Sequence, residues 1–291
     1  MKIFKLALCA TVIGIFSFTS CSDYDRHRLQ YVETTGYISL KVTDAPFPHD
    51  MVAEANITIT KVEARLKATD SAKLSEVNGS PFQVLYEGEM AMNLLELTNG
   101  ITKSLGEAEA PVGKYDLVRV YVKDANVILT DGRAFDLKVP SGGQSGIKVF
   151  IRPELIVSGG LTSELLLDFD VSRSFVATGG SNDVSEIKGF NFKPVIKAVN
   201  VSVSGALSGT VSTTLDDIST DLEGAQITVM AADTVNTTTF TDASGQYMVQ
   251  GLMAGSYRIM AEFDGYQLIS VDDVEIVAGN KTIQDFDLIA E

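Results

Sequence analysis

Tryptophan is absent from this 291-residue chain, and cysteine and histidine occur only twice each. Two histidines, His27 and His49, are too few for a multi-histidine metal centre. Without tryptophan, the largest aromatic platform for stacking on a sugar ring is missing. Cations are scarce as well. Lys and Arg total 23 against 38 Asp and Glu, a formal charge of −15. Nucleic-acid binding draws on cations that neutralise phosphates, so no nucleic-acid partner is expected. Neither a G-x-S-x-G elbow nor an H-E-x-x-H pair occurs. No stretch shows three turns of amphipathic helical spacing. What is present suffices for a folded core: 45% of residues are hydrophobic, and the length suggests two domains.

The one long apolar run lies at the N-terminus. Lys2 and Lys5 flank its start, and Leu6 to Phe18 is shorter than the roughly 20 residues of a membrane span. Thr19 and Ser20 then lead into Cys21. This pattern resembles the lipobox of bacterial lipoproteins. The resemblance implies a signal peptide over 1–20, acylation of Cys21 and a lipid anchor as the contact with the membrane. The outer membrane is the expected location, with its surface and periplasmic faces both open. Cys9 leaves with the signal peptide, so neither a disulfide nor a thiol nucleophile is expected in the mature chain. Residues 21–35 read as the lipidated Cys and a polar tether.

Beyond the tether, apolar residues recur at every second position, the period of half-buried strands. Ile38, Leu40 and Val42 alternate with Ser39, Lys41 and Thr43. Ala55, Ile57 and Ile59 keep one parity, and Val62, Ala64 and Leu66 keep the other. That slip predicts a β-bulge near Thr60-Lys61. Met92 to Leu97 reads as a helical turn closed by Asn99-Gly100. Val118, Val120 and Val122 mark the inner face of a strand over 115–123. Asp131-Gly132 predicts a tight hairpin between Val127–Leu129 and the run Phe135, Leu137, Val139. Further strands are expected over Ile147 to Ile151, ended by Pro153, then over Leu165 to Val171 and over Phe190 to Val203. The pattern predicts an all-β protein with two β-sandwich domains in tandem, over 36–203 and 204–291. Charge divides unevenly: residues 201–291 hold 14 acidic and 2 basic side chains, residues 22–200 hold 24 and 19.

Two resemblances follow from particular residues. Thr241-Asp242-Ala243-Ser244-Gly245-Gln246-Tyr247, Ala254-Gly255-Ser256-Tyr257, Asp264-Gly265-Tyr266 and Ala278-Gly279-Asn280 resemble the carboxypeptidase regulatory-like domain. That likeness implies a transthyretin-like (prealbumin-type) sandwich over nearly all of 205–290. The fold is often grouped with carbohydrate-binding-like folds, which does not by itself establish sugar binding. The first domain resembles the bacterial domain of unknown function DUF4382, common in lipoproteins. The likeness rests on Thr43-Asp44-Ala45-Pro46, Gly113-Lys114-Tyr115, Asp131-Gly132, Val139 to Gly146, Leu166 to Asp170 and Phe192 to Ile196. It implies a β-rich extracytoplasmic domain and no catalytic residues.

Candidate chemistry is sparse. Arg119, Tyr121 and Lys123 share one strand face and offer a ligand surface, or else a solvated face with Tyr packed on a Lys stem. Asp168 and Asp170 share another, as paired carboxylates suited to acid/base work or Ca²⁺, or else as two solvated residues near Arg173. His49 reads as a loop residue. Ser141 to Gly146 lacks the Lys-Ser/Thr ending of a phosphate loop and reads as a flexible connection. Asp44, Asp242 and Asp264 are expected to cap their own turns. No cofactor is expected. The expected function is a non-enzymatic envelope lipoprotein acting as a binding module toward a glycan or an envelope protein. The alternative is a structural spacer or assembly subunit, and a third reading is a metal-assisted hydrolase built on Asp168 and Asp170.

Overall fold

Alternating apolar residues build strands throughout. The computed structural model describes residues 33–45, 51–67, 80–139, 144–180, 183–215 and 218–291. Cys21, His49 and Ser141 to Gly143 lie outside the described residues. The first set of strands is β1 (Thr35–Ala45), β2 (Val52–Leu66), β3 (Phe82–Asn93), β4 (Lys103–Pro111), β5 (Gly113–Leu129), β6 (Ala134–Leu137), β7 (Ile147–Val157) and β8 (Thr162–Asp170). A one-turn helix, α1 (Val171–Ser174), then leads into β9 (Phe175–Gly179), β10 (Ile187–Phe192) and β11 (Ile196–Asn200). Nine of these strands form one sheet in the order β3-β2-β5-β7-β11-β8-β1-β4, with β6 on β5. Its end strands β3 and β4 pack beside each other, so the sheet wraps around a single core. That core holds Ile38, Leu40, Val62, Val118, Val120, Leu155, Leu167 and Phe169, all essentially inaccessible to solvent. Strands β9 and β10 form a separate hairpin.

The parity slip in β2 is a bulge. Register shifts between Ile59 and Lys61 against both β3 and β5, and the apolar set stays on the core side through it. The helical turn is a single 3-10 turn over Leu94–Leu97, capped by Asn93 and followed by the Asn99-Gly100 turn.

Four expectations change. The hairpin loop has three residues rather than two. Only Gly132 has positive φ (85°), and the Gly132 N–H donates to the Leu129 carbonyl at 2.9 Å, so the loop is a turn followed by a left-handed glycine. Pro153 does not end its strand. It sits where the β5–β7 register shifts between Tyr115 and Leu117, a gap in the ladder that tolerates a residue without an N–H. Val171 leaves the strand to start α1. The run from Phe190 to Val203 is two strands, β10 and β11, followed by a 3-10 turn over Val201–Val203.

The second core belongs to β12 (Ser204–Leu215), β13 (Ile218–Asp221), β14 (Gln226–Ala231), β15 (Thr234–Phe240), β16 (Gln246–Met253), β17 (Gly255–Glu262), β18 (Ile269–Ile276), β19 (Lys281–Ile283) and β20 (Phe286–Asp287). One sheet runs β13-β12-β16 with β19 and β20 also on β12, and the other runs β15-β14-β17-β18. Leu207, Val211, Ile227, Val229, Tyr247, Ile259 and Phe286 fill the space between them. The repeated motif residues hold turns and strand ends. Buried Thr241 Oγ1 accepts from Ala225 N–H and donates to the Leu222 carbonyl. Asp242 Oδ1 accepts from the N–H groups of Ser244 and Gln246, at 2.9 and 3.0 Å. The hydroxyls of Tyr247 and Tyr257 donate to the carbonyls of Gln284 and Met253. Asp44 Oδ1 receives the Val171 N–H that opens α1, at 3.1 Å. Among the described residues, no helix is long and apolar enough to cross a membrane.

Candidate functional site

On the outer face of β5, Arg119 and Tyr121 converge on a carboxylate contributed by β2. Tyr121 Oη donates to Glu63 Oε2 at 2.9 Å, and Arg119 Nη1 lies 3.9 Å from the same oxygen. Lys61 pairs with Glu63 and stands 5.5 Å above the Tyr121 ring. The Arg119 guanidinium stacks 3.7 Å over Phe82 of β3. Hydrogen bonding to Glu63, opposed by burial, holds the Lys61 ammonium above its ordinary pKa. Lys123 is not part of this group. It turns outward to Glu89, 3.0 Å away, and an exposed pair of this kind stabilises little. Glu63 is not among the candidate residues named from the sequence. Its signal was the bulge: beyond it, Lys61, Glu63 and Arg65 line up on the face opposite Val62 and Ala64.

The carboxylates of β8 are separated by their partners. Asp170 caps α1, its Oδ1 accepting from Arg173 N–H at 3.0 Å and from Ser172 Oγ at 2.7 Å. Asp168 pairs in register with Thr43 of β1 and Lys197 of β11. Its carboxyl opens onto the seam where the first sheet meets the second domain. Burial pushes the Asp168 carboxyl up to about 7, with Lys197 opposing the shift and Asp170 adding to it. Among the described residues, no three His, Cys, Asp or Glu side chains gather as a metal-binding group.

Directional hydrogen bonds cross the seam. Asn99 Nδ2 donates to Asp242 Oδ2 at 3.1 Å and to the Gln246 carbonyl at 3.4 Å. Gln250 Nε2 donates to the Gly100 carbonyl at 3.3 Å, and Lys197 Nζ to the Asn236 carbonyl at 3.1 Å. Thus Asp242 holds its own turn with one oxygen and the first domain with the other.

A separate open groove of about 540 Å³ lies along β7, lined by Lys114, Asp116, Phe150, Arg152, Glu154 and Ile156. Phe150 and Ile156 are more than half exposed, and the Arg152 guanidinium lies 5.4 Å from the Phe150 ring. Arg65 grips Asp116 through two bonds of 2.9 Å, and Lys67 pairs with Glu154.

These features define a tandem all-β protein in which a wrapped sheet is joined by polar contacts to a prealbumin-like sandwich. The family described as domain of unknown function DUF4382 matches residues 35–194, and the carboxypeptidase regulatory-like domain matches residues 206–289. The first match spans more than half of the chain, and the protein belongs to the DUF4382 family. No curated protein matches it. Among solved structures, the minor pilin GBS52 of Streptococcus agalactiae is similar at 12% identity and a TM-score of 0.26, over 87% of this chain and 96% of that one. The major pilin subunit BcpA of Bacillus cereus shows 10% identity and a TM-score of 0.26, over 88% and 71%. The shaft pilin SpaA of Lactobacillus rhamnosus GG shows 10% identity and a TM-score of 0.23, over 89% and 100%. Likeness at that level carries no functional information.

Proposed function

We propose that the protein is a lipid-anchored, non-enzymatic structural subunit of the bacterial cell envelope, whose two β domains act as one rigid spacer. The observation that supports this most directly is the seam. Four side chains tie the domains together through specific donors and acceptors, where a simple tether would leave them to move independently. Four of the side chains singled out for chemistry are engaged in structure: Asp170 in a helix cap, Arg119 and Tyr121 with Glu63, and Lys123 with Glu89. The anchor is Cys21, and the location is the outer membrane.

Membrane fractionation of cells expressing Cys21→Ala tests the anchor, and transfer to the soluble fraction is the expected result. Cross-linking of intact cells tests the assembly role. A discrete, reproducible complex supports it, and a monomer under all conditions overturns it.

The groove along β7 favours a second reading, a binding module for a glycan or an envelope protein. Its exposed Phe150 and Ile156 sit beside the charged Lys114, Asp116, Arg152 and Glu154, a mixed apolar and charged lining that a ligand could cover. A glycan array and an envelope pull-down compare wild type with Phe150→Ser. Capture lost in the variant supports the module, and two blank results remove it.

A further inference from the structure

The edge strands of the two second-domain sheets, β15 and β16, both face β8 across a small, partly open cavity with room for about 20 Å³. That volume holds about one water molecule. Asp168 lines it from the first domain together with Thr43, Asp44 and Gly100, and Thr239, Met248 and Gln250 are among those that line it from the second. Thr239 is wholly buried, and its Oγ1 has no hydrogen-bond partner. A buried hydroxyl left in this state costs free energy that a donor or acceptor across the cavity removes. Of the side chains around the cavity that could supply one, Asp44 receives the Val171 N–H and Gln250 donates to the Gly100 carbonyl, while among the described residues the Asp168 carboxyl makes no hydrogen bond.

We propose that Asp168 is a proton-operated latch between the domains: as the neutral acid it donates to Thr239 Oγ1, directly or through one water, and its ionisation loosens the seam. This goes beyond the spacer reading by making the joint adjustable. The step is a single proton lost from Asp168 Oδ to solvent, which leaves a carboxylate in a poorly hydrated seam. The charged groups around it are few. Lys197 of β11 is engaged with the Asn236 carbonyl, Lys41 of β1 with Glu164, Asp44 of β1 with the Val171 N–H, and Asp170 with α1. The cavity residues of β15 and β16 carry no titratable group. Burial of the carboxyl raises its pKa to about 7, which places the change near neutrality.

The sign follows from proton binding. The closed form keeps the proton at a pH where the open form has lost it. Opening therefore becomes up to about tenfold easier per pH unit from about pH 4 to about pH 7, and then levels off. The test uses the full chain with spin labels at exposed Ala53 and Asp264, one in each domain, together with carboxyl-carbon NMR. The expected result is a narrow inter-label distance distribution at about pH 5 and a broad one at about pH 8, with Asp168 titrating near neutrality. D168N is expected to remove the pH dependence. T239V is expected to lower the midpoint, because it removes the acceptor that favours the neutral acid. D170N is also expected to lower it, and asparagine preserves the α1 cap. An unchanged pH response in D168N overturns the latch, as does a midpoint indifferent to T239V. Recovery of the narrow distribution at alkaline pH on adding Ca²⁺, seen in wild type and not in D168N, overturns it in favour of a cation seat.

Discussion

Glu63 organises its neighbourhood although it is a buried anion, at 8% exposure. Three side chains from two strands compensate it, and Phe82 covers one of them. Removing its charge leaves Lys61 and Arg119 without their partner, so Glu63→Gln is expected to lower stability by about 1–3 kcal/mol, read by urea denaturation. Asp168 behaves in the opposite way. Its folded pKa, about 7, lies above its ordinary 3.8, so its contribution is fully present below about pH 4 and is lost as pH rises to about 7. Asp168→Asn is expected to flatten that dependence and to stabilise the protein above neutrality by on the order of 2 kcal/mol, a figure reduced for partial solvent screening. Denaturation curves from acid to alkaline pH check it. At this scale the sequence identified Arg119, Tyr121, Asp168 and Asp170 as candidates, and missed Glu63 and Thr239. Strand parity reports which face a residue occupies. It does not report which strand lies opposite, and Arg119 and Tyr121 beside Glu63 and the cavity beside Thr239 involve other strands.

Strand phase was the most legible feature at the level of elements. The slip between Ile59 and Val62 located a bulge that the ladders show at Ile59/Lys61, because a change of parity has few other physical readings. Pro153 was misleading, since proline is excluded from a regular ladder and not from a register break. Two glycines separate conformation from crowding. At Gly132, φ is 85° and an added Cβ meets nothing within 4 Å, so Gly132→Ala is expected to cost only the left-handed strain, about 1–2 kcal/mol. At Gly209 of β12, a Cβ stands 1.9 Å from the Gln284 carbonyl oxygen, where β12 meets the segment joining β19 to β20. Backbone must move to admit it, so Gly209→Ala is expected to cost about 3 kcal/mol and to act on the second domain. Calorimetry on both variants separates the two cases.

The two cores meet at a seam where Val199 lies against Gly251, Met248 lies against Gly100, and four side-chain hydrogen bonds cross. Asn99→Ala combined with Lys197→Met removes three of its four side-chain bonds while leaving both cores intact. The expected outcome is a calorimetric trace in which two unfolding transitions separate, with the summed enthalpy little changed. A trace identical to wild type contradicts rigid coupling. Charge bears on the same scale: 14 acidic residues against 2 basic over 201–291 give the second domain a net self-repulsion.

By itself the sequence determined the all-β class, the inward-facing residues, the bulge in β2 and the membership of both domains in recognisable families. Each of these is recorded in local periodicity or in turn residues that act within a few positions. The tertiary structure alone decided that the first sheet wraps until β3 and β4 adjoin, that Asp242 is shared between a turn and the other domain, and that Asp168 faces a cavity beneath Thr239. The last two depend on contacts between residues some 70 to 150 positions apart, and period-two spacing carries no information about which other strand becomes a neighbour.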